Sequence, residues 1–384
     1  MEDRTNSVQE RGRIGEIAKE FLRLGFVAFG GPPAHLAMME ERFVRRRGWL
    51  TRERFLDLFG AASLLPGPSS TELAMYLGEV RGGFAGMLVA GGCFILPAAF
   101  MVVALAWAYL KFGRVPQVAG LLFGIKPVVV ALMVQAIWNL ARTALRRWPL
   151  AMLALIVVAL AAIGQSVIVL LLGAGILWAA LMQRQKLIRG EFALTGVAGV
   201  GAAAVPSAIG LAPVFFYFLK IGAVVVGSGY VLLAILRADL VVRLHWLTDG
   251  QLLDAIAVSQ ATPGPFFTVA TFIGFLLGGW RGAALATVGM FLPAFVYVGM
   301  TARVLPRLRK SALAGAFLDG VNAAAVALMG FVGWQFARAS MIDWAAIAIA
   351  AASLFLIFRY KINSAWLVLG GALAGILLRS VGWG

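Results

Sequence analysis

Apolar residues fill this chain in long unbroken runs, not in the alternating or one-faced patterns of a water-soluble fold. The runs fall roughly at 15–38, 55–77, 84–110, 117–141, 148–163, 165–183, 192–210, 212–236, 250–277, 283–302, 312–337, 341–358 and 362–380, with short polar loops between them. A helix needs about 20 apolar residues to cross a bilayer, so the pattern predicts up to thirteen spanning helices. Backbone groups in hydrocarbon must be bonded within their own segment, and runs this long exclude barrel strands. The expected fold is an all-α polytopic integral membrane protein with no soluble domain.

Composition points the same way. Of 384 residues, 61% are hydrophobic and only 13% charged, too few charges to cover a soluble protein of this length. The opening "MEDRTNSVQERGRIGEIAKE" has no short apolar core followed by a small-residue cleavage site, so no removable signal peptide is expected. A single cysteine, Cys93, excludes an intrachain disulfide and a thiolate metal cluster.

The net charge of +16 sits mostly in the short loops, which fits cytoplasmic retention of basic loops and gives no reason to invoke nucleic acid. With the amino terminus cytoplasmic and thirteen crossings, 19 of the 33 basic residues face inward and 11 outward. The other three, Arg23, Lys126 and Lys220, lie inside apolar runs. Six of the outward residues, Arg42, Arg45, Arg46, Arg47, Arg52 and Arg54, would become cytoplasmic if 15–38 dips into the membrane and returns. Charge counting alone leaves both readings of the 39–54 loop open.

The chain also repeats itself. Shifted by about 197 residues, "FLRLGFVAFGG" at 21–31 meets "FLKIGAVVVGS" at 218–228, Trp49-Leu50-Thr51 meets Trp246-Leu247-Thr248, Asp57 meets Asp254, and Pro66-Gly67-Pro68 meets Pro263-Gly264-Pro265. With one residue dropped, Gly78, Gly82, Gly86 and Leu96-Pro97 meet Gly274, Gly278, Gly282 and Leu292-Pro293, and "GIKPVVVALM" meets "GVNAAAVALM". The expected organisation is an N-terminal membrane repeat over 15–185, a linking segment over 186–211 and a C-terminal repeat over 212–384. Six segments, one linker and six more turn the second repeat upside down relative to the first. This is the inverted plan of secondary transporters, whose site lies near the midplane between repeats and is built from broken helices. A duplication that merely enlarged a scaffold is the alternative.

Four interruptions fall in symmetry-related pairs: Gly30-Gly31-Pro32-Pro33 and Gly227-Ser228-Gly229, then Pro66-Gly67-Pro68 and Pro263-Gly264-Pro265. Glycine and proline weaken or break a helix interior. A helix that restarts after such a break points free N–H groups and the positive end of its dipole inward, which suits an anion. Arg23 and Lys220 hold matched positions about two turns before a break, and a charge at membrane depth is costly enough to suggest function, although Arg23 is also close enough to a polar terminus to snorkel. Lys126, between Gly124 and Pro127, faces a polar counterpart in Asn322. Together with Ser69, Ser70, Thr71, Ser228, Gln260, Thr262 and Thr268, these groups make a receptor for a tetrahedral oxyanion dianion.

Four carboxylates at depth are candidates for proton coupling, since burial favours the protonated form of a carboxyl. They are Glu72, Asp319 and the repeat-matched Asp57 and Asp254, the last two being equally readable as interfacial caps or arginine partners. Glu72, whose counterpart Val269 cannot ionise, is the strongest of them. His35 and His245 stand in no metal-ligand spacing, and no metalloprotease, phosphate-loop or serine-nucleophile motif occurs. No metal, cofactor or enzymatic chemistry is expected.

The stretches "FVAFGGPPAHLAMMEERFVRRRGWL", "LLPGPSSTELAMYLG", "VVGSGYVLLAILRADLV", "WLTDGQLLDAIAVSQATPGP" and "ATFIGFLLGGWRGAALATVGMFLP" resemble the long, two-domain form of the chromate ion transporter superfamily over nearly the whole chain. The resemblance implies a multi-pass protein of the inner membrane that exports chromate from the cytoplasm, driven by the proton gradient, with sulfate as the look-alike substrate. It also implies halves of opposite orientation. Its pattern points to Phe29, Gly30, Gly31, Pro32, His35, Trp49, Leu50, Pro66, Gly67, Pro68, Gly227, Ser228, Gly229, Tyr230, Pro263, Gly264 and Pro265. Glu72 departs from it, standing where an uncharged residue, often glutamine, is expected. The partners implied are chromate or sulfate, protons and lipid, while homo-oligomerisation is left open.

Overall fold

The computed structural model describes residues 2–112, 116–187, 210–225, 231–301, 312–341, 343–360 and 362–380. Most of the linking segment and Gly227, Ser228, Gly229 and Tyr230 lie outside the described residues. Among those described, every regular element is helical. Four stretches are long and apolar enough to cross a membrane: 69–112, 120–144, 266–301 and 315–340, with shorter apolar helices between them.

Each repeat opens with two interrupted segments. Helix α1 (Glu2–Val27) stops before Gly30 and Gly31, whose φ values of 101° and 73° lie in the left-handed region that glycine alone enters without strain. Helix α2 (Gly31–Met39) restarts with proline in its first turn, where a missing N–H costs nothing, and continues as a π-helical stretch over Glu40–Arg46. Next, α3 (Arg52–Ala62) is capped by the Thr51 hydroxyl, which accepts from the Arg54 N–H at 3.3 Å. After Pro66-Gly67-Pro68 comes α4 (Ser69–Phe112), which is two helices joined by a reversal at Gly82 and Gly83. Its arms at 69–81 and 84–112 pack so tightly that a side chain on Gly78 would strike the Gly86 carbonyl.

The second repeat follows the same plan. Helix α8 (Leu211–Val224) and α9 (Val231–Leu236) flank the first interruption, and a π-helical stretch follows at Arg237–Arg243. Helix α10 (Asp249–Ala261), opened by a Thr248–Gln251 capping box, and a short 3-10 turn at Phe266–Thr268 bracket the second. Helix α11 (Val269–Thr301) reverses at Gly278 and Gly279, and its arms meet at Gly274 and Gly282. The remaining helices are α5 (Pro116–Ala144), α6 (Trp148–Ala162) and α7 (Val167–Leu187) in the first repeat. Their counterparts are α12 (Ala312–Ser340), α13 (Trp344–Tyr360) and α14 (Ser364–Ser380).

Ion pairs settle the course of the first segments. Glu20 binds both Arg42 and Arg47, while Glu16 binds Arg47 at 3.3 Å and Arg81 at 2.9 Å. Residues 16, 42, 47 and 81 therefore share one end of the molecule. Segment 15–46 enters and returns, and so does 52–81: both are hairpins with their interruption at the tip. In the second repeat, Arg237 pairs with Asp249 at 2.7 Å, and a side chain on Gly278 would meet Leu211, which closes the same two hairpins. If all four return, the six arginines of 42–54 move to the inner face and Arg237 and Arg243 to the outer, so that 19 against 11 becomes 23 against 7. The re-entrant reading thus sharpens the bias that orients membrane proteins.

The halves are antiparallel and interlocked. Gly299 and Thr301, late in α11, lie beside Phe84, Met87 and Tyr76, early in α4, and Phe295 packs on Gly91. Helix α5 packs on α14 of the other repeat through Gly124 and Gly371, and α12 packs on α7 through Gly320 and Gly175. Small residues at these crossings let backbones approach, which drives helix association where lipid supplies no hydrophobic force.

Candidate functional site

The interruptions meet. Gly67, at φ 133°, donates its N–H to the carbonyl of Val225 at 2.7 Å. Gly264, at φ 94°, donates to the carbonyl of Ala28 at 2.8 Å. Each bond ties the second hairpin tip of one repeat to the first tip of the other, and the two bonds are related by the internal symmetry. Both carbonyls belong to helix ends that a break has left without their usual acceptor role.

Between the tips is a space of about 20 Å3 lined by Gly31, Pro32, Pro68, Ser69, Ser70 and Gln260, with Phe266 and Phe267 closing it. That is room for roughly one water. The first turn of α4 faces it. The Pro68 carbonyl accepts from Thr71 and Glu72, at 2.7 and 3.0 Å. Thr71 and Glu72 are themselves fully buried, and neither the Thr71 hydroxyl nor either Glu72 carboxyl oxygen has a hydrogen-bond partner.

Other expected residues take local roles. His35, buried, brings Nε2 within 3.0 Å of the Ala28 carbonyl and its ring edge to Phe94, so it folds α2 back on the end of α1. Thr268 donates its hydroxyl to the Pro265 carbonyl at 2.8 Å, and Thr262 to that of Val258 at 3.1 Å; Pro263 is buried at the tip.

The candidate charges separate. Arg23 lies exposed on the face of α1 that also exposes Leu22, Phe26 and Val27. Asp57 is half-buried on α3. Asp319 is exposed in a recess shared with Asn322 and Thr143. Lys220 faces a large cavity beside Arg237, Asp239 and Arg243. Burial raises the Asp239 carboxyl above the ordinary range, against the opposing pull of Arg243 at 3.1 Å and then of Lys220.

Lys126 and Asp254, expected to act separately, form one unit. The ammonium lies 3.1 Å from the Asp254 carboxylate, which also accepts from the Tyr109 hydroxyl at 3.0 Å. Lys126 and Tyr109 come from the first repeat and Asp254 from the second. Tyr109 carried no sequence signal, being one aromatic in an apolar run, and the carbonyls of Val225 and Ala28 carried none either.

The sequence profile of the chromate transporter family matches this chain twice, over residues 15–179 and 212–376. The chain belongs to that family. The two matched stretches coincide with the two repeats. Its relatives include the "Chromate transport protein" of Pseudomonas aeruginosa, 34% identical over 94% of this chain and 92% of the relative, and that of Cupriavidus metallidurans, 31% identical over 95% and 93%. A "Probable chromate transport protein" of Synechococcus elongatus is 30% identical over 96% of each. No solved structure matches. Membership makes the chain a multi-pass member of a transport family.

Proposed function

We propose that this protein is a secondary active transporter that exports chromate from the cytoplasm across the inner membrane, coupled to protons, by alternating exposure of a site at the repeat interface. The family and the names of its relatives support chromate as the ion. The observation that carries the mechanism is the reciprocal pair of inter-half bonds, Gly67 to Val225 and Gly264 to Ala28. Two symmetry-related contacts that depend on single backbone bonds are what a rocking interface needs: either can open without unfolding a helix.

The space of about 20 Å3 between the tips is the closed form of the ion site. Parting the tips frees the N–H groups of Ser69 and Ser70 at the positive end of α4, together with the Gln260 amide, to replace the water shell of a dianion. Pro66, Pro68 and Pro265 hold the tips in shape. Glu72 stands within one turn of those donors. A carboxylate there, with no cation or donor beside it, is too costly to keep charged while the tips are closed, so it carries its proton until water reaches it.

Sulfate shares charge and shape with chromate and is the nearest alternative ion; a passive anion pathway is the alternative mechanism. Chromate flux into proteoliposomes, with and without an imposed pH difference and in competition with sulfate, separates the three. Flux that follows the chromate gradient and ignores the pH difference leaves only the passive pathway.

A further inference from the structure

On the far side of the Val225 bond lies a cavity of about 860 Å3 between α8, α9 with its π-helical extension, α12 and the turn from α6 to α7. The proposed transport site does not use it. Its rim includes Gln165, Ser166 and Arg243. The first repeat reaches that turn after three crossings, by the second arm of α4, α5 and α6, so the rim lies on the face opposite the arginine-rich end. On α8 the cavity begins at Lys220, which lies nine residues, about 14 Å along the helix, past its first residue Leu211. Its floor includes Ala223 and Val224. The next residue, Val225, accepts the Gly67 N–H.

Charge is distributed unevenly down this funnel. Arg243 is paired with Asp239, and Arg237 with Asp249. Lys220 has no carboxylate within ion-pair distance among the described residues. The unmatched cation therefore sits on the floor, against the inter-half contact. A phospholipid would put its head at the rim and its acyl chains on the floor, where Lys220 would then be buried in hydrocarbon at a cost of about 2.5 kcal/mol or more. A water-filled funnel with its cation at the bottom instead concentrates small anions there.

We infer that this cavity is an aqueous vestibule on the face opposite the arginine-rich end, and that Lys220 on its floor docks a small divalent oxyanion one step outside the central site. The inference rests on the transport reading for the identity of the ion, but its geometry is testable without transport. It also brings Gln165, Ser166 and Ala223, which no motif singled out, into contact with the ion's path.

The test uses the full-length protein carrying Cys93→Ser, with Ser166→Cys at the rim or Ala223→Cys on the floor, in intact cells and everted vesicles. Two membrane-impermeant thiol reagents are compared, one bearing a sulfonate and one a quaternary ammonium. Both cysteines should react from the outside of cells and not from the cytoplasmic face. At Ala223→Cys the sulfonate reagent should react about tenfold faster, chromate or sulfate should slow it, and adding Lys220→Gln should abolish both the preference and the protection. Ser166→Cys reacting while Ala223→Cys is silent to both reagents means a dry or lipid-filled floor and overturns the inference. So does a charge preference that survives Lys220→Gln, absence of protection, or labelling only from the cytoplasmic face. Absent chromate flux in proteoliposomes, with this labelling pattern intact, instead overturns the transport reading and leaves the vestibule standing.

Discussion

Lys126 and Asp254 meet at 3.1 Å across the boundary between the two repeats. The pair has no equivalent in the other half by residue type, because the position matched to Lys126 is Asn322. The lysine side chain keeps 27% of its exposure and the aspartate only 6%. Removing Lys126 strands a buried carboxylate, whereas removing Asp254 leaves a lysine that still reaches water.

Lys126→Ala should therefore cost about 3–5 kcal/mol of stability and Asp254→Asn clearly less. Thermal unfolding of the purified protein in detergent measures both. Equal losses, or a larger loss in Asp254→Asn, would contradict the burial argument.

Gly67→Ala and Gly264→Ala test the tips. Each forces a side chain into the left-handed region, at about 1–3 kcal/mol. Each also adds a clash, with the Glu72 carboxyl at 2.5 Å for Gly67 and with Ala98 at 2.6 Å for Gly264. Chromate flux in proteoliposomes should fall by more than tenfold in both. Gly83→Ala, strained at φ 60° but with open space around it, should lose stability and keep most of its flux.

Glu72→Gln preserves shape and removes the titrating group. Chromate should still bind and exchange across the membrane, but an imposed pH difference should no longer accelerate flux. Unchanged acceleration in this variant, at confirmed reconstitution, removes Glu72 from the coupling.

Glu20 is almost fully buried and joins Arg42 to Arg47. Glu20→Gln should lower stability by about 1–3 kcal/mol through loss of charge-assisted bonds, read as a lower unfolding temperature. Because both arginines reach solvent, the protein should still insert, and limited proteolysis after Arg45 and Arg46 should become faster.

Much of this architecture was legible in the residues. Uninterrupted apolar runs require helices in hydrocarbon, and the paired glycine and proline motifs mark the breaks because those residues alone change backbone freedom locally. The match of Gly67 to Gly264 foretold a symmetric pair. Whether 15–38 crosses or returns was not legible, since an apolar run has the same composition in either course; the contacts of Glu16 and Glu20 with Arg42, Arg47 and Arg81 decided it. Nor could spacing say that Lys126 would spend its charge on Asp254, that His35 would serve a backbone carbonyl, or that Arg23 would face outward while its counterpart Lys220 lined a cavity.

The sequence by itself thus determined the helices, their interruptions and the duplication, because these follow from local backbone chemistry and from the solvent the chain must occupy. Only the tertiary structure decided which charges meet and which tips touch. Those outcomes depend on how two antiparallel halves interlock through glycine crossings, and side chains more than a hundred residues apart carry no local record of one another.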